Sequence, residues 1–415
     1  MASTISPAER MTDAGQSREA RIDALLADTS HHIEFNGHLS NHSKHAVVAL
    51  AGLGASANRI EEYYYQYAKE TTYGFGLEPK RPSRYTVTDE NCLSLLGRRT
   101  SFSSWCHYFS SLTEREGLPA VLEKWMPVLL PGWVGAFTHA TIHLGWGLDY
   151  GHPRMITEGM AYMAFSWVSC HPERQTASCL TGDATALESL IAISTALEQR
   201  NTEYQTWVQR VQNGEIAPEK AACHSELKRS GLQYLIAMSV AEGHPLMDAV
   251  PGWLCHGQMD TVWQQLYYAV AIIYLARPGD FVNLHLITSL HAMEHIASQL
   301  PEHQHRDVVR LYWQGMMGIL FSSGDFPDAQ TMAHLDSRLK NQFDDMQKPD
   351  VQQYWQNIIT AAIAEAEEHN PKLVYVMRKL WERTHGLSIY RESAGSFTTT
   401  PELPESFLQQ ADDSI

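Results

Sequence analysis

Three segments of the chain concentrate histidine, the commonest metal ligand and the side chain that titrates near neutrality. Asn36 to His45 carries His38, His42 and His45. Thr138-His139-Ala-Thr-Ile-His143 carries a pair, and Asn283 to His295 carries His285, His291 and His295. The whole chain holds 21 His against 12 Phe, an excess that makes metal or acid-base chemistry the first thing to test. Imidazoles from separate helices can meet on one ion, as they do in metal sites built between the facing helices of bundles. The plain alternative is that each buried imidazole bonds a backbone carbonyl in the core.

Helical geometry limits which rings can share an ion. His139 and His143 are four apart, about 40° round a helix, and so are His291 and His295. His285 and His291 are six apart, about 120° round, so both reach one ion only where the helix distorts or the ion lies deep between helices. In H-E-x-x-H enzymes the helical pair encloses a glutamate base, whereas position 140 is Ala here. A histidine-dominated site with few carboxylates suits Fe, Cu, Zn or Ni by ligand type.

The elements that must position these residues are predicted to be helices, because apolar residues recur at three- and four-residue spacing with little alternation of period two. One helix opens near Ser40 or Asn41 and stops at Gly52 and Gly54, and Ser56 caps the next, from Ala57 to about Glu70. Others are expected at about 133–150, 154–170, 219–242, 281–299, 350–369 and 371–385, with a loop from Tyr73 to Arg84 that crosses a site. The expected fold is all-α: one domain of about fifteen helices over residues 30–390 with a buried His-lined site. Residues 1–29 are expected to be loosely attached or disordered, and 391–415, with Thr, Ser and Pro from Ser393 onward, a flexible tail.

Composition narrows the function. A formal charge of −16 disfavours nucleic acid as a partner. The longest apolar stretch, Leu266 to Ala276, falls short of the roughly 20 residues that span a bilayer, so no membrane is expected. Six cysteines without a C-x-x-C pair, and an N-terminus without an apolar signal region, point to a cytoplasmic protein. Gly52-Leu-Gly54-Ala-Ser-Ala57 fits G-x-G-x-x-A but lacks a β-α-β setting, so no NADPH or flavin motif is found, and Walker and G-x-S-x-G motifs are absent. Tyr63-Tyr64-Tyr65 with Tyr67 either packs in the core or lines a pocket for a planar ligand.

The order of these motifs resembles the questin oxidase-like family. It runs from Ser-Asn-His42 and Leu-Gly-Ala-Ser56, through His139-x-x-Ile-His-Leu-Gly-Trp-Gly-Leu-Asp-Tyr-Gly151 and Thr157-Glu158-Gly-Met-Ala, to Leu-His285-Leu-Ile-Thr-Ser-Leu-His291-Ala. The resemblance covers about residues 30 to 390. It implies an all-α oxygenase that uses O₂ to oxidise or cleave a ring of an aromatic polyketide or quinone, with Fe(II) as the expected cofactor. It also implies His42, His139, His285 and His291 as metal ligands, with His143 matching some members; Glu158 and Asp149 are expected to orient the imidazoles. Near the C-terminus it leads to the expectation of a His-x-x-Lys pattern. Read against Pro371-Lys372-Leu-Val-Tyr375, that pattern puts Lys372 at the histidine position and Tyr375 at the lysine position, a catalytic or metal-facing place for Tyr375. Two other functions are compatible with the chain: a helical binding protein with structural histidines, and a metal-free, NADPH-dependent Baeyer-Villiger-type oxidoreductase.

Overall fold

Three helices have long stretches buried round their whole circumference, and they form the centre. Every residue is buried from His139 to Gly147 in the helix His139–Tyr150, from Met155 to Phe165 in Pro153–Phe165, and from Asn283 to Met293 in Phe281–Ala297. The computed structural model describes residues 17–177, 185–222 and 225–403. Among these residues there are nineteen α-helices. Sheet is limited to two pairs of two-residue strands, Glu34–Phe35 antiparallel to Leu39–Ser40 and Thr176–Ala177 parallel to Ala249–Val250. None of the described helices is long and apolar enough to cross a membrane.

The all-α expectation holds, with more breaks than the periodicity predicts. The stretch 219–242 divides into Pro218–Ala222 and Leu232–Glu242. The helix expected from 133 begins only at His139. The helix expected to run to 369 ends at Ala364, and His369 opens a new one, His369–Arg383. Of the segments expected to be loose, 17–29 and 391–403 are described and include packed residues, while 1–16 and 404–415 lie outside the described residues. The helix Arg18–Ala27 buries Ile22, Leu25 and Leu26, and the Arg18 guanidinium donates to the carbonyls of Ala51 and Ala55. At the other end the helix Ser388–Ala394 buries most of its residues, and Thr398 exchanges hydrogen bonds with Asn370 at 2.9 and 3.1 Å.

Small residues set how closely the central helices approach. A Cβ added at Gly145 would sit 2.3 Å from the Cα of Ala292, and one at Gly159 would sit 2.4 Å from the Cα of Leu144. Backbone therefore meets backbone across both central interfaces. Two outer helices, Ser43–Gly52 and His369–Arg383, pack on each other and on the central helices that carry His139 and His285. Because the obstruction at Gly145 is backbone, Gly145→Val should force the central helices apart. The expected cost is about 1–3 kcal/mol, the usual range for overpacking a core. It would be read as a lower urea midpoint, and an unchanged midpoint would contradict the close approach.

Candidate functional site

Four of these helices bring one imidazole each together near their N-terminal ends; His42, His139 and His369 place one ring nitrogen each within 4.8 Å of one another, and His285 joins them through His139. His42 precedes the first residue of Ser43–Gly52, His139 and His369 each open a helix, and His285 is the fifth residue of Phe281–Ala297. The ring centroids form a closed quadrilateral: 4.4 Å from His42 to His139, 4.7 Å from His139 to His285, 4.9 Å from His285 to His369, and 4.7 Å from His369 back to His42. All four residues are at most 5% exposed. Phe137 and Phe281 close one side, with centroids 4.3 and 4.6 Å from the His285 ring.

Each ring has its outer nitrogen tied to a specific partner. His139 Nδ1 lies 2.6 Å from the Ala136 carbonyl, and His285 Nδ1 lies 2.7 Å from the Phe281 carbonyl. A carbonyl only accepts, so Nδ1 carries the proton in both rings and a neutral imidazole leaves a lone pair on Nε2. These two Nε2 atoms face each other at 3.0 Å. Two lone pairs at that distance repel unless a cation or a proton lies between them. His369 repeats the pattern, with Nδ1 2.5 Å from Glu367 Oε1 and a buried Nε2 without a hydrogen-bond partner. Carboxylate or carbonyl behind imidazole, with a free nitrogen in front, is how metal-bound histidines are held.

The local sequence explains the placement. Ala136, Phe137 and Thr138 have φ of 50°, 50° and 68°, three successive left-handed non-glycine residues immediately before His139. Each costs roughly 1–2 kcal/mol, and together they turn the Ala136 carbonyl back onto the His139 ring. Asp280 caps the helix of His285 by accepting from Asn283 N at 2.7 Å. Glu367 accepts from the backbone N–H groups of His369 and Asn370 at 2.7 and 3.1 Å, which starts that helix and fixes the carboxylate behind the ring.

Burial holds all four imidazoles well below their ordinary pKa of about 6.5, with the Lys372 charge adding to the effect. Lys372, one turn after His369, places Nζ 2.7 Å from His42 Nδ1. Burial also pushes this ammonium down, and it pushes the neighbouring Glu367 and Glu368 carboxyls up. The first ring of groups is thus nitrogen only, with carboxyl groups one layer behind.

The sequence-predicted residues divide among three places. His42, His139 and His285 come together. His143 lies in a neighbouring layer, where its Nδ1 is 3.0 Å from His45 Nε2 and its Nε2 is 3.5 Å from Glu158 Oε2. Glu158 is also 2.5 Å from Lys44 Nζ, so it orients His143 and sits behind the cage rather than in it. His291 goes elsewhere. Its Nε2 donates to Asp149 Oδ2 at 2.9 Å, beside His295 at 3.3 Å from Oδ1 and Lys379 at 2.8 Å. Tyr375 belongs to that second group, since its hydroxyl donates to Asp149 at 2.7 Å. Burial and the Asp149 charge raise the Tyr375 pKa, which favours the neutral phenol over a metal-binding tyrosinate. The reading that placed Tyr375 at a lysine position is corrected here. His369-Asn-Pro-Lys372 has the His-x-x-Lys spacing, three residues earlier, and both of its ends reach the cage. His369 and Glu367 were not singled out from sequence, and Lys372 was given the histidine position of the pattern rather than the lysine one, although the His-x-x-Lys spacing was present to find His369 and Lys372.

Such a site defines a helical protein with a buried cage of four imidazoles, each carried near the start of a separate helix. Residues 39–377 match the family described as Questin oxidase-like, a span that includes every cage residue, and the chain belongs to that family. A segment of 139 residues is 28% identical to the Baeyer-Villiger monooxygenase AacuH of Aspergillus aculeatus. It takes in 32% of this chain and spans only 28% of that relative's length.

Neutral buried histidines make stability depend on pH. His42, His45, His139, His285 and His369 have pKa values lowered by folding, so the unfolded chain binds more protons below about 6.5. Stability is complete above that pH and is lost as pH falls toward the folded values, by about 1.4 kcal/mol per pH unit for each imidazole. Chelator-treated protein should show a steep fall in its urea midpoint from pH 7 to 5 (roughly, from the unperturbed histidine value). A flat profile would contradict neutral burial.

Proposed function

We propose that the protein is an oxidoreductase, an oxygenase that uses O₂ to oxidise or cleave a ring of an aromatic polyketide or quinone. In this reading Fe(II) is held by His42, His139, His285 and His369. The observation that carries it is the pair of Nε2 lone pairs, on His139 and His285, held face to face by their backbone anchors. Family membership and the likeness to a Baeyer-Villiger monooxygenase support oxygenase chemistry. When bound, iron supplies electrons to O₂ and a position at which O₂ is activated.

The chain's own residues have separable roles. The carbonyls of Ala136 and Phe281 and the Glu367 carboxylate keep three rings in the tautomer that offers Nε2 inward. Phe137 and Phe281 exclude water from one side. Lys372 can hold or release a proton at Nζ beside His42, and Glu367 with Glu368 balances added positive charge from behind.

A second reading is favoured by Lys372. An ammonium 2.7 Å from His42, at a site where imidazoles gather near four helix N-termini, also suits an anion. In that reading no metal binds, His139 and His285 share a proton, and the site holds a phenolate substrate that reacts with O₂ directly.

Metal content separates the two. Protein made with ample iron and purified without oxygen is expected to carry close to one equivalent. His139→Ala, His285→Ala and His369→Ala should lose it, whereas His291→Ala and Tyr375→Phe should keep it. Metal-free protein that still consumes O₂ with an aromatic substrate would instead establish the second reading.

A further inference from the structure

The helices that carry His139, His285 and His369 bring a second group of ligand-type side chains together further along their length. On Phe281–Ala297, His291 follows His285 by about 9 Å of helix axis. Asp149 lies near the C-terminal end of His139–Tyr150, and Tyr375 and Lys379 lie beyond Lys372 on His369–Arg383. His291 Nε2 is 2.9 Å from Asp149 Oδ2, and His295 Nε2 is 3.3 Å from Oδ1. One ligand atom from each of these three residues lies within 4.8 Å of the others. Zinc bonds imidazole nitrogen and carboxylate oxygen at about 2.0–2.2 Å, which sets tetrahedral ligand atoms about 3.3–3.5 Å apart. The three side chains therefore need to shift little to close on one ion.

Charge and access favour a cation here. The side chains of Asp149 and His291 are 6% and 5% exposed, whereas those of His295 and Lys379 are 27% and 41% exposed, which gives an ion a way in. Burial keeps both imidazoles neutral, with their lone pairs available. The neighbouring carboxylate, Glu294, is committed to Arg383 at 2.7 Å and Tyr267 at 2.6 Å, so Asp149 is the anion that faces the two rings.

Lys379 holds the cation's place. Its Nζ donates to Asp149 Oδ1 at 2.8 Å and to the Tyr375 hydroxyl oxygen at 3.1 Å. The ammonium sits on a flexible four-carbon stem. Lys379 also lines a cavity of about 250 Å³ with Gln352, Gln356 and Glu382, whose oxygens can accept from it when it withdraws. An ammonium and a phenol already suffice to pair a carboxylate. Two imidazoles one helical turn apart, converging on the same carboxylate from another helix, add what a divalent ion requires.

We propose that Asp149, His291 and His295 form a second metal site, separate from the cage, which takes zinc in exchange for the Lys379 ammonium. His291 then carries its proton on Nδ1 and binds through Nε2, and water completes four-coordination on the side that Lys379 leaves. Zinc stands above iron in affinity for nitrogen and oxygen ligands, so iron supplied to the cage does not displace it. The bound ion would tie the helix of His139 to the helix of His285 at a point outside the cage. The site stands whether or not the cage holds iron.

The test is equilibrium dialysis of the purified full-length protein against zinc sulfate, with bound zinc counted by mass spectrometry and melting temperature read in parallel. Zinc that enters the cage is counted alike in every variant, so the difference between variants is what reports this site. His295→Ala is expected to bind one zinc fewer than the wild type and to show a smaller rise in melting temperature with zinc. Lys379→Met, which removes the competing charge, should hold that zinc about tenfold or more tightly. Equal zinc content in the wild type and His295→Ala would overturn the proposal, and so would unchanged or weaker binding by Lys379→Met. Should Lys379→Met lose the wild-type melting curve, the zinc count of His295→Ala, at a partly exposed position, decides the matter. Iron content is read separately. A protein that loses one zinc in His295→Ala but carries no iron defeats only the iron reading, and one that carries iron with equal zinc in both defeats only this site.

Discussion

Two imidazoles, His139 and His285, meet Nε2 to Nε2 at 3.0 Å with their other nitrogens committed to backbone carbonyls. Neither ring can turn over to relieve the contact without orphaning a buried carbonyl bond, and burial opposes charging both. The arrangement makes sense where a cation or a shared proton is part of the folded protein. Much of the surrounding structure can be understood as holding this contact in place. Three left-handed residues aim one carbonyl, an aspartate cap starts the helix that carries the other ring, and Glu367 does the same for His369.

The second constraint is distance between helices. His139 and His285 meet because their helices approach until Gly145 touches the backbone of Ala292, and the helix Pro153–Phe165 closes on the other side through Gly159. Burying three helices on all faces removes water from the cage and leaves polar side chains there dependent on one another. The Asp149 group shows the satisfied version of that dependence. Its carboxylate accepts from His291, Tyr375 and Lys379 with His295 nearby, and its pKa is held below the usual carboxylate range despite burial. The cage differs in having buried nitrogen, on His369, that nothing among the described residues satisfies.

Much of this was legible in the sequence. Helical periodicity gave the fold class, and three separated His clusters gave His42, His139 and His285. The six-residue gap between His285 and His291 correctly warned that both would not face one point. Spacing alone could not divide His139 from His143. The two are about 40° apart on one helix face, and which of them reaches the cage depends on neighbouring helices that also bring His45 and Glu158 to His143. His369 was missed for a local reason. The chain from 350 to 369 carries no glycine or proline between its ends to mark the break after Ala364, so His369 read as the end of one helix rather than the start of the next. That boundary shifted the His-x-x-Lys reading by three residues and gave Tyr375 a place that Lys372 holds. The strained turn at 136–138 left no composition signal, because Ala, Phe and Thr are not residues that favour positive φ.

The central claim is that the cage is completed by a metal ion between fixed imidazoles. Anomalous diffraction at the iron edge, from crystals grown without oxygen in the presence of Fe(II), tests it most directly. The account predicts one strong peak within the group formed by His42, His139, His285 and His369. The absence of a peak there, with the His139 and His285 nitrogens still at hydrogen-bonding distance, would contradict it and leave a shared proton in the place assigned to iron.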